Sequence, residues 1–493
     1  MMIKRYRLGR LGGEKMERPN IVLLMADEFR GDCIGAAEHP DVKTPYLDTL
    51  LSGGVYFKRA YTSCPSCVPA RAAMFTGLSQ EHHGRVGYRD CVPWNYDCTL
   101  AGELSKCGYY TQCVGKMHVH PLRSLQGFHH VELHDGYLHN YRRDEQPFYE
   151  NQLFADDYFH WLKEEKGISC DVTDTGLDCN SWVARPWCYE EKYHPTNWVT
   201  SRSIDFLRRR DRDKPFFLMA SYVRPHAPYD APQAYFDLYK DRDLRPPFKG
   251  DWDDEENLKA NGYTFNSSTG PLDPVQIRRQ QEGYYACITH LDHQIGRLML
   301  SLIEHGLMDN TIIAFVADHG ELLSDHGLSR KSRAYEGSIH IPLILYGPER
   351  FIGKPRVCED LAELRDILPT LVALAGGQAP DCVDGVNLLA GEASDRPYLH
   401  GEHTAGAFSN QFIVTKEDKY IWYTQSGEER YFRLDTDPTE SHNAIHDAEY
   451  AERIDELRSC LIRELDGREE GYSDGQKLIP GRPPQEILHR VLG

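Results

Sequence analysis

Two apolar runs constrain this chain more than anything else in it. Residues 20–26 (Asn-Ile-Val-Leu-Leu-Met-Ala) stop at Asp27, and residues 311–317 (Thr-Ile-Ile-Ala-Phe-Val-Ala) stop at Asp318. A run that is apolar at nearly every position is buried on both faces. That is the pattern of a central parallel strand rather than of a half-solvated antiparallel one. Further strands read at 109–114, 215–223 and 342–346, and helices at 44–51, 100–107, 277–305 and 366–375. Strands alternating with helices predict an α/β fold, a large and mainly parallel sheet flanked by helices. After Gly376-Gly377 the pattern changes to short strands at 410–415, 419–424 and 429–434, then a helix at 448–466. The expected division is a poorly ordered leader (1–18), a main α/β domain (19–377), a small α+β subdomain with an antiparallel sheet (378–466) and an extended tail (467–493). The tail would wrap the body or a neighbouring subunit of a homo-oligomer.

The 493 residues carry a net charge of −19, which excludes nucleic acid and anionic membranes as natural partners. Any anionic substrate must therefore be drawn by a local cationic pocket. Residues 1–18 are basic but lack the apolar core of a secretory signal, and no run of about 18 apolar residues could span a bilayer. Fourteen cysteines are scattered from Cys33 to Cys460 without the spacing of a disulfide framework. A cytoplasmic location with free thiols is expected.

Cys67-Val68-Pro69-Ala70-Arg71 precedes Ala72-Ala73-Met74-Phe75-Thr76-Gly77. Pro69 suits a first helical turn. Cys67 then falls at a helix N-terminus, where free N–H groups and the dipole favour anions, with the Arg71 fork nearby. The two strand-end acids, Asp27 (followed by Glu28) and Asp318 (followed by His319-Gly320-Glu321), come to one sheet edge. Carboxylates gathered there repel unless a cation sits between them.

Cys-x-Pro-x-Arg with the following Thr-Gly resembles the signature of the formylglycine-dependent sulfatases of the alkaline-phosphatase-like superfamily, and the resemblance runs from about Pro19 to about Asn443. It implies that a maturation enzyme oxidises Cys67 to formylglycine, whose hydrate attacks the sulfur of a sulfate ester. It implies metal ligands at Asp27, Cys67, Asp318 and His319, for calcium or else manganese or another transition metal, because imidazole widens the choice. Glu28 is either a ligand or a support. Gly115-Lys116-Met117-His118 matches the Gly-Lys-x-His motif that contacts sulfate. Pro225-His226-Ala227-Pro228 matches the histidine near the leaving group, and Lys331 matches a sulfate-binding lysine. Arg71, Lys116, His118, His226 and Lys331 would then surround one tetrahedral anion. The expected activity is hydrolysis of an aryl or small-molecule sulfate. The Asp-His pair keeps a phosphonate monoester or phosphodiester hydrolase as the alternative. His194-Pro195-Thr196-Asn197-Trp198, in a long insertion, is a candidate substrate-pocket element.

Overall fold

The computed structural model describes residues 18–136, 155–261, 264–271 and 273–493. The expected leader, Arg18 apart, lies outside the described residues. The main sheet has eight strands in the order β4-β3-β5-β1-β6-β7-β2-β8. They are β1 (Asn20–Asp27), β2 (Val55–Tyr61), β3 (Tyr110–Gly115), β4 (His130–Leu133), β5 (Phe216–Pro225), β6 (Thr311–Ala317), β7 (Leu343–Tyr346) and β8 (Arg356–Glu363). β7 runs antiparallel to β6 and β2, and the other neighbours are parallel. The expected α/β architecture is present.

β1 is central, and every one of its residues is buried. Leu24 faces Ala220 of β5 on one side and Phe315 of β6 on the other. Full burial of each such aliphatic side chain contributes roughly 1.5–3 kcal/mol, so Leu23→Ala in this strand would cost about 2–5 kcal/mol. The same register sets the chemistry. Ala26 pairs with Ala317, so Asp27 and Asp318 leave the sheet side by side. A register break between Ala26 and Asp27 brings Asp27 opposite Pro225. The His226 N–H then donates to the Asp27 carbonyl at 3.0 Å. β3 ends at Gly115 (φ +104°), where a Cβ would stand 1.9 Å from the Ser221 carbonyl oxygen. Only glycine allows that approach, and it delivers Lys116 and His118 to the same edge.

The second sheet is antiparallel, β12-β11-β10-β9, built from β9 (Leu399–His403), β10 (Asn410–Val414), β11 (Lys419–Tyr423) and β12 (Glu429–Phe432). The helix Ala451–Glu464 lays Ile454, Leu457 and Leu461 on Ile413, Tyr420, Trp422 and Tyr431 of its outer face. The final residues run back over the body of the same chain. Glu486 accepts from the Val86 N–H at 3.1 Å, and the Leu488 N–H donates to Gly84 at 2.7 Å. Among the described residues, no helix is long and apolar enough to cross a membrane.

β2, β4, β8 and β9, and the helices Asp157–Glu165 and Pro195–Arg209, go beyond the sequence expectation. β2 carries Lys58-Arg59 in its middle, and β8 is a half-exposed edge with mixed burial. Neither shows the continuous apolar run that betrays β1 and β6.

Candidate active site

Ser66 is extended (φ −162°) and Cys67 opens the helix Cys67–Thr76, whose ten residues are all buried. Gly77, at φ +71°, ends it in the left-handed region that glycine tolerates. Cys67 is 3% exposed and sits beside both strand-end acids. Its Sγ marks where the oxygens would stand if Cys67 were oxidised as the resemblance implies. Sγ lies 3.3 Å from His319 Nε2, and 3.6 Å from both Asp27 Oδ1 and Lys116 Nζ.

Asp27, Cys67, Asp318 and His319 each offer one ligand atom, all within 4.8 Å of one another. His319 Nδ1 is 2.9 Å from the Gly320 carbonyl, which can only accept, so the proton is on Nδ1. Nε2 then faces Asp27 Oδ1 at 3.6 Å and Asp318 Oδ1 at 3.8 Å. A ring nitrogen, a sulfur and two carboxylates that converge in this way could hold a cation, and these donors fit a divalent ion. Glu28 is not part of this cluster.

Arg71 is fully buried and braces the acids from behind. Its Nε donates to Asp318 Oδ2 at 3.0 Å, its Nη1 to the Lys116 carbonyl at 2.7 Å and to Ser221 Oγ at 3.1 Å, and its Nη2 is 3.7 Å from Asp27 Oδ2. It does not line the cavity above. Lys116 does, and its ammonium makes a close ion pair with Asp27. Burial alone would raise the Asp27 pKa, but Lys116, His226 and Arg71 hold it well below the carboxylate range.

Lys331 Nζ stands 2.7 Å from His226 Nε2 and 3.2 Å from Glu28 Oε1. His226 Nε2 is also 3.3 Å from Glu28 Oε2. Burial and the neighbouring Lys331 charge pull the His226 pKa well down. Burial pushes Glu28 up to about 8 against the pull of Lys331. Glu28 (φ 64°) and His118 (φ 58°) hold left-handed backbone, a strained conformation for side-chain-bearing residues. The His118 N–H donates to Asp135 Oδ1 at 3.0 Å, and its Nε2 lies 3.7 Å from Asp90 Oδ2.

Above these groups opens a cavity of about 370 Å³. Cys67, Lys116, His118, His226 and Lys331 form its floor, and Tyr88, Asn180, Val223 and Arg330 form its walls. The structure thus brings together all the residues expected for the site, with Arg71 behind the acids rather than in the cavity. Tyr88, Asp90, Asp135, Asn180 and Arg330 were not anticipated. Asp135 follows a strand, as Asp27 does, and that signal was readable. The His194–Trp198 element is not a pocket wall. His194 is fully buried, accepts from the Thr196 N–H as a helix cap and lies 3.4 Å from Asp230, while Trp198 packs in the core.

The sulfatase family model matches residues 19–377, and a model described as N-sulphoglucosamine sulphohydrolase, C-terminal, matches 324–466. An arylsulfatase of Clostridium perfringens is 51% identical over 96% of this chain and 99% of its own. A choline-sulfatase of Rhizobium meliloti is 27% identical over 86% of this chain and 82% of its own. The phosphonate monoester hydrolase of Agrobacterium radiobacter superposes with a TM-score of 0.75 at 24% identity, covering 90% of this chain and 95% of that one, which establishes the shared fold. The chain belongs to the sulfatase family, with the alkaline-phosphatase-like architecture. It is an enzyme that hydrolyses sulfate esters, and the family implies a divalent metal and a formylglycine.

Proposed function

We propose that the substrate is a small aryl sulfate, cleaved to a phenol and inorganic sulfate. The observation that carries this is the cavity over Cys67. It holds about 370 Å³, its floor carries Lys116 and Lys331, and its walls include Tyr88 and Val223. Such a cavity suits one ring better than a sulfated polymer, and the −19 net charge also disfavours a polyanion. The arylsulfatase name of the 51% identical relative supports the same reading.

Asp27, Cys67, Asp318 and His319 would hold the metal, calcium or else manganese, which supplies positive charge to the sulfate oxygens and to the nucleophile. Formylglycine at Cys67, made by a maturation enzyme, supplies the hydrated nucleophile and an internal exit for sulfate. The other groups position and move protons. Lys116 and Lys331 bear on the sulfate oxygens from fixed positions in a dry site, usually the largest catalytic term. Arg71 fixes the geometry of both acids. The carboxylate oxygen in contact with Cys67 Sγ belongs to Asp27, which favours Asp27 over Asp318 as proton acceptor from the nucleophile. His226 Nε2 faces the leaving-group side. A bound sulfate beside it favours its charged form, from which it protonates the departing oxygen. His118, next to Asp90, is the base for release of sulfate.

Cytoplasmic residence remains our reading, supported by fourteen cysteines scattered without the spacing of a disulfide framework. The division at 19–377, 378–466 and 467–493 remains our reading of the chain, and the tail leaves room for a homo-oligomer.

The deciding experiment is parallel turnover of an aryl sulfate, a sulfated disaccharide and an aryl phosphonate monoester. The protein is produced alongside a formylglycine-generating enzyme, with Cys67→Ala as control. The aryl sulfate is expected to be fastest. Faster disaccharide turnover would overturn the substrate class, and faster phosphonate turnover would move the assignment to phosphorus.

A further inference from the structure

Away from the catalytic pocket, Arg333 is 93% buried yet has no acid beside it. Its exposure is 7%, its Nη1 lacks a hydrogen-bond partner, and no carboxylate among the described residues pairs with it. Its guanidinium carbon lies over the Phe408 ring, 3.7 Å from the centroid. The ring contact leaves the Nη1 hydrogens open to an acceptor. Burial, with Arg430 nearby, pulls its pKa below the usual range. A buried cation without a partner costs several kcal/mol unless something else satisfies it.

Arg333 lines a cavity of about 240 Å³ between the segment around Trp252 and the second sheet. Its aromatic walls are Trp252, Phe408, Tyr335 and Tyr423, and the Glu428 carboxylate, held by Arg430, also lines it. Trp252 and Tyr335 stack at 4.6 Å and 23°. The neighbouring cation is already engaged: Arg430 lies on Trp252 at 4.3 Å and holds Glu428 at 2.7 Å. Asp254 also borders the cavity but forms no ion pair with Arg333. Phe408 is 43% exposed, so the cavity opens to solvent. A partly aromatic cavity that reaches a buried guanidinium with no carboxylate partner suits a ring that bears an oxyanion.

We propose that this cavity is a second binding site, taking a small aromatic anion (a carboxylate, sulfonate or sulfate on a single ring) through Arg333. It shares a chain segment with the catalytic pocket, since Arg330, Lys331 and Ser332 line that pocket and Arg333 lines this one. The site does not depend on the substrate assigned above.

The test uses full-length protein labelled with 5-fluorotryptophan and benzenesulfonate as the probe, which the enzyme cannot hydrolyse. Trp252 lines this cavity and not the catalytic one, so its ¹⁹F signal, assigned with Trp252→Phe, reports this site whatever the activity. A saturable shift is expected, with at least tenfold weaker apparent affinity in Arg333→Met. That variant is also expected to melt at a higher temperature, because it removes an unpaired buried charge. Phe408→Ala, at an exposed position that tolerates truncation, is expected to weaken binding severalfold and keeps the test open if the methionine variant fails to fold. An unmoved Trp252 signal, or equal affinity in both variants, would overturn the proposal. An equal shift with inorganic sulfate alone, or with neutral benzyl alcohol, would also overturn the aromatic-anion assignment.

Discussion

Lys331 Nζ is 2.7 Å from His226 Nε2, a cation pressed against an imidazole. Because His226 Nδ1 bonds the Ala227 carbonyl at 2.8 Å, its proton is there, and Nε2 accepts from the ammonium. In the resting enzyme His226 is therefore neutral, with no proton on Nε2, the atom we assign to the leaving-group side. Substrate binding must change that, and the demand is greatest for leaving groups that depart badly without a proton. His226→Ala is expected to cut alkyl sulfate turnover by about 10²–10⁴ and nitrophenyl sulfate turnover far less. A plot of log kcat against leaving-group pKa checks this. Parallel lines for wild type and variant would remove His226 from the acid role.

Cys67→Ala is expected to abolish sulfatase turnover while the circular dichroism spectrum and Tm stay near wild type, since alanine leaves only a small gap at a helix start. Cys67→Ser is expected to show no sustained multiple turnover, because a serine sulfate has no second hydroxyl to expel the anion. Steady turnover in the serine variant would contradict the exit argument.

His319→Ala removes the neutral nitrogen donor that Gly320 orients. Its metal content after dialysis, measured by plasma mass spectrometry, is expected to fall well below wild type, and chelator treatment of wild type should abolish turnover reversibly. Undiminished metal in the variant would place the ion elsewhere.

Asp230 holds Arg224 in a buried two-pronged pair at 2.5 and 2.6 Å, just before the His226 turn. Burial opposes the charge, but Arg224 and His194 carry its pKa down to about 2. A carboxyl group with a depressed folded pKa contributes stability above its unfolded pKa, near 4, and loses it as pH falls through about 2. The contribution at neutral pH is on the order of 2–3 kcal/mol. Asp230→Asn is expected to lower Tm at pH 7 and to flatten the decline of Tm between about pH 4 and pH 2. An unchanged acid profile would show that the pair contributes nothing.

The centre of the fold was legible because β1 and β6 are buried on both faces, which leaves a run that nothing else explains. The site was legible for a related reason, since strands of that kind end where ligands bind and Cys67 carries a long local motif. What escaped was set by tertiary contact. β8 is recognisable only from its pairing with β2, and β9 only from β10. Trp198 and His194 have the residue types of a pocket, but Asp230 engages His194 and the rings of His134 and Tyr158 pack against Trp198. Arg71 looks like a substrate clamp in sequence, yet the two acids draw it behind themselves. The walls, from Tyr88 to Arg330, come from loops whose meeting no local pattern encodes.

β1 is among the first segments made, yet one of its two partners begins at Phe216 and the other at Thr311. At ordinary translation rates the second neighbour follows roughly 15–60 s later. The central strand must wait through that interval as unpaired chain, which favours escort by chaperones and makes fragments ending before β6 prone to aggregate. Cys67, 3% exposed on the cavity floor of the finished molecule, is also made before that sheet can close. The order of synthesis therefore sets a window in which a protein-sized catalyst can reach the thiol, and closure of the sheet ends it.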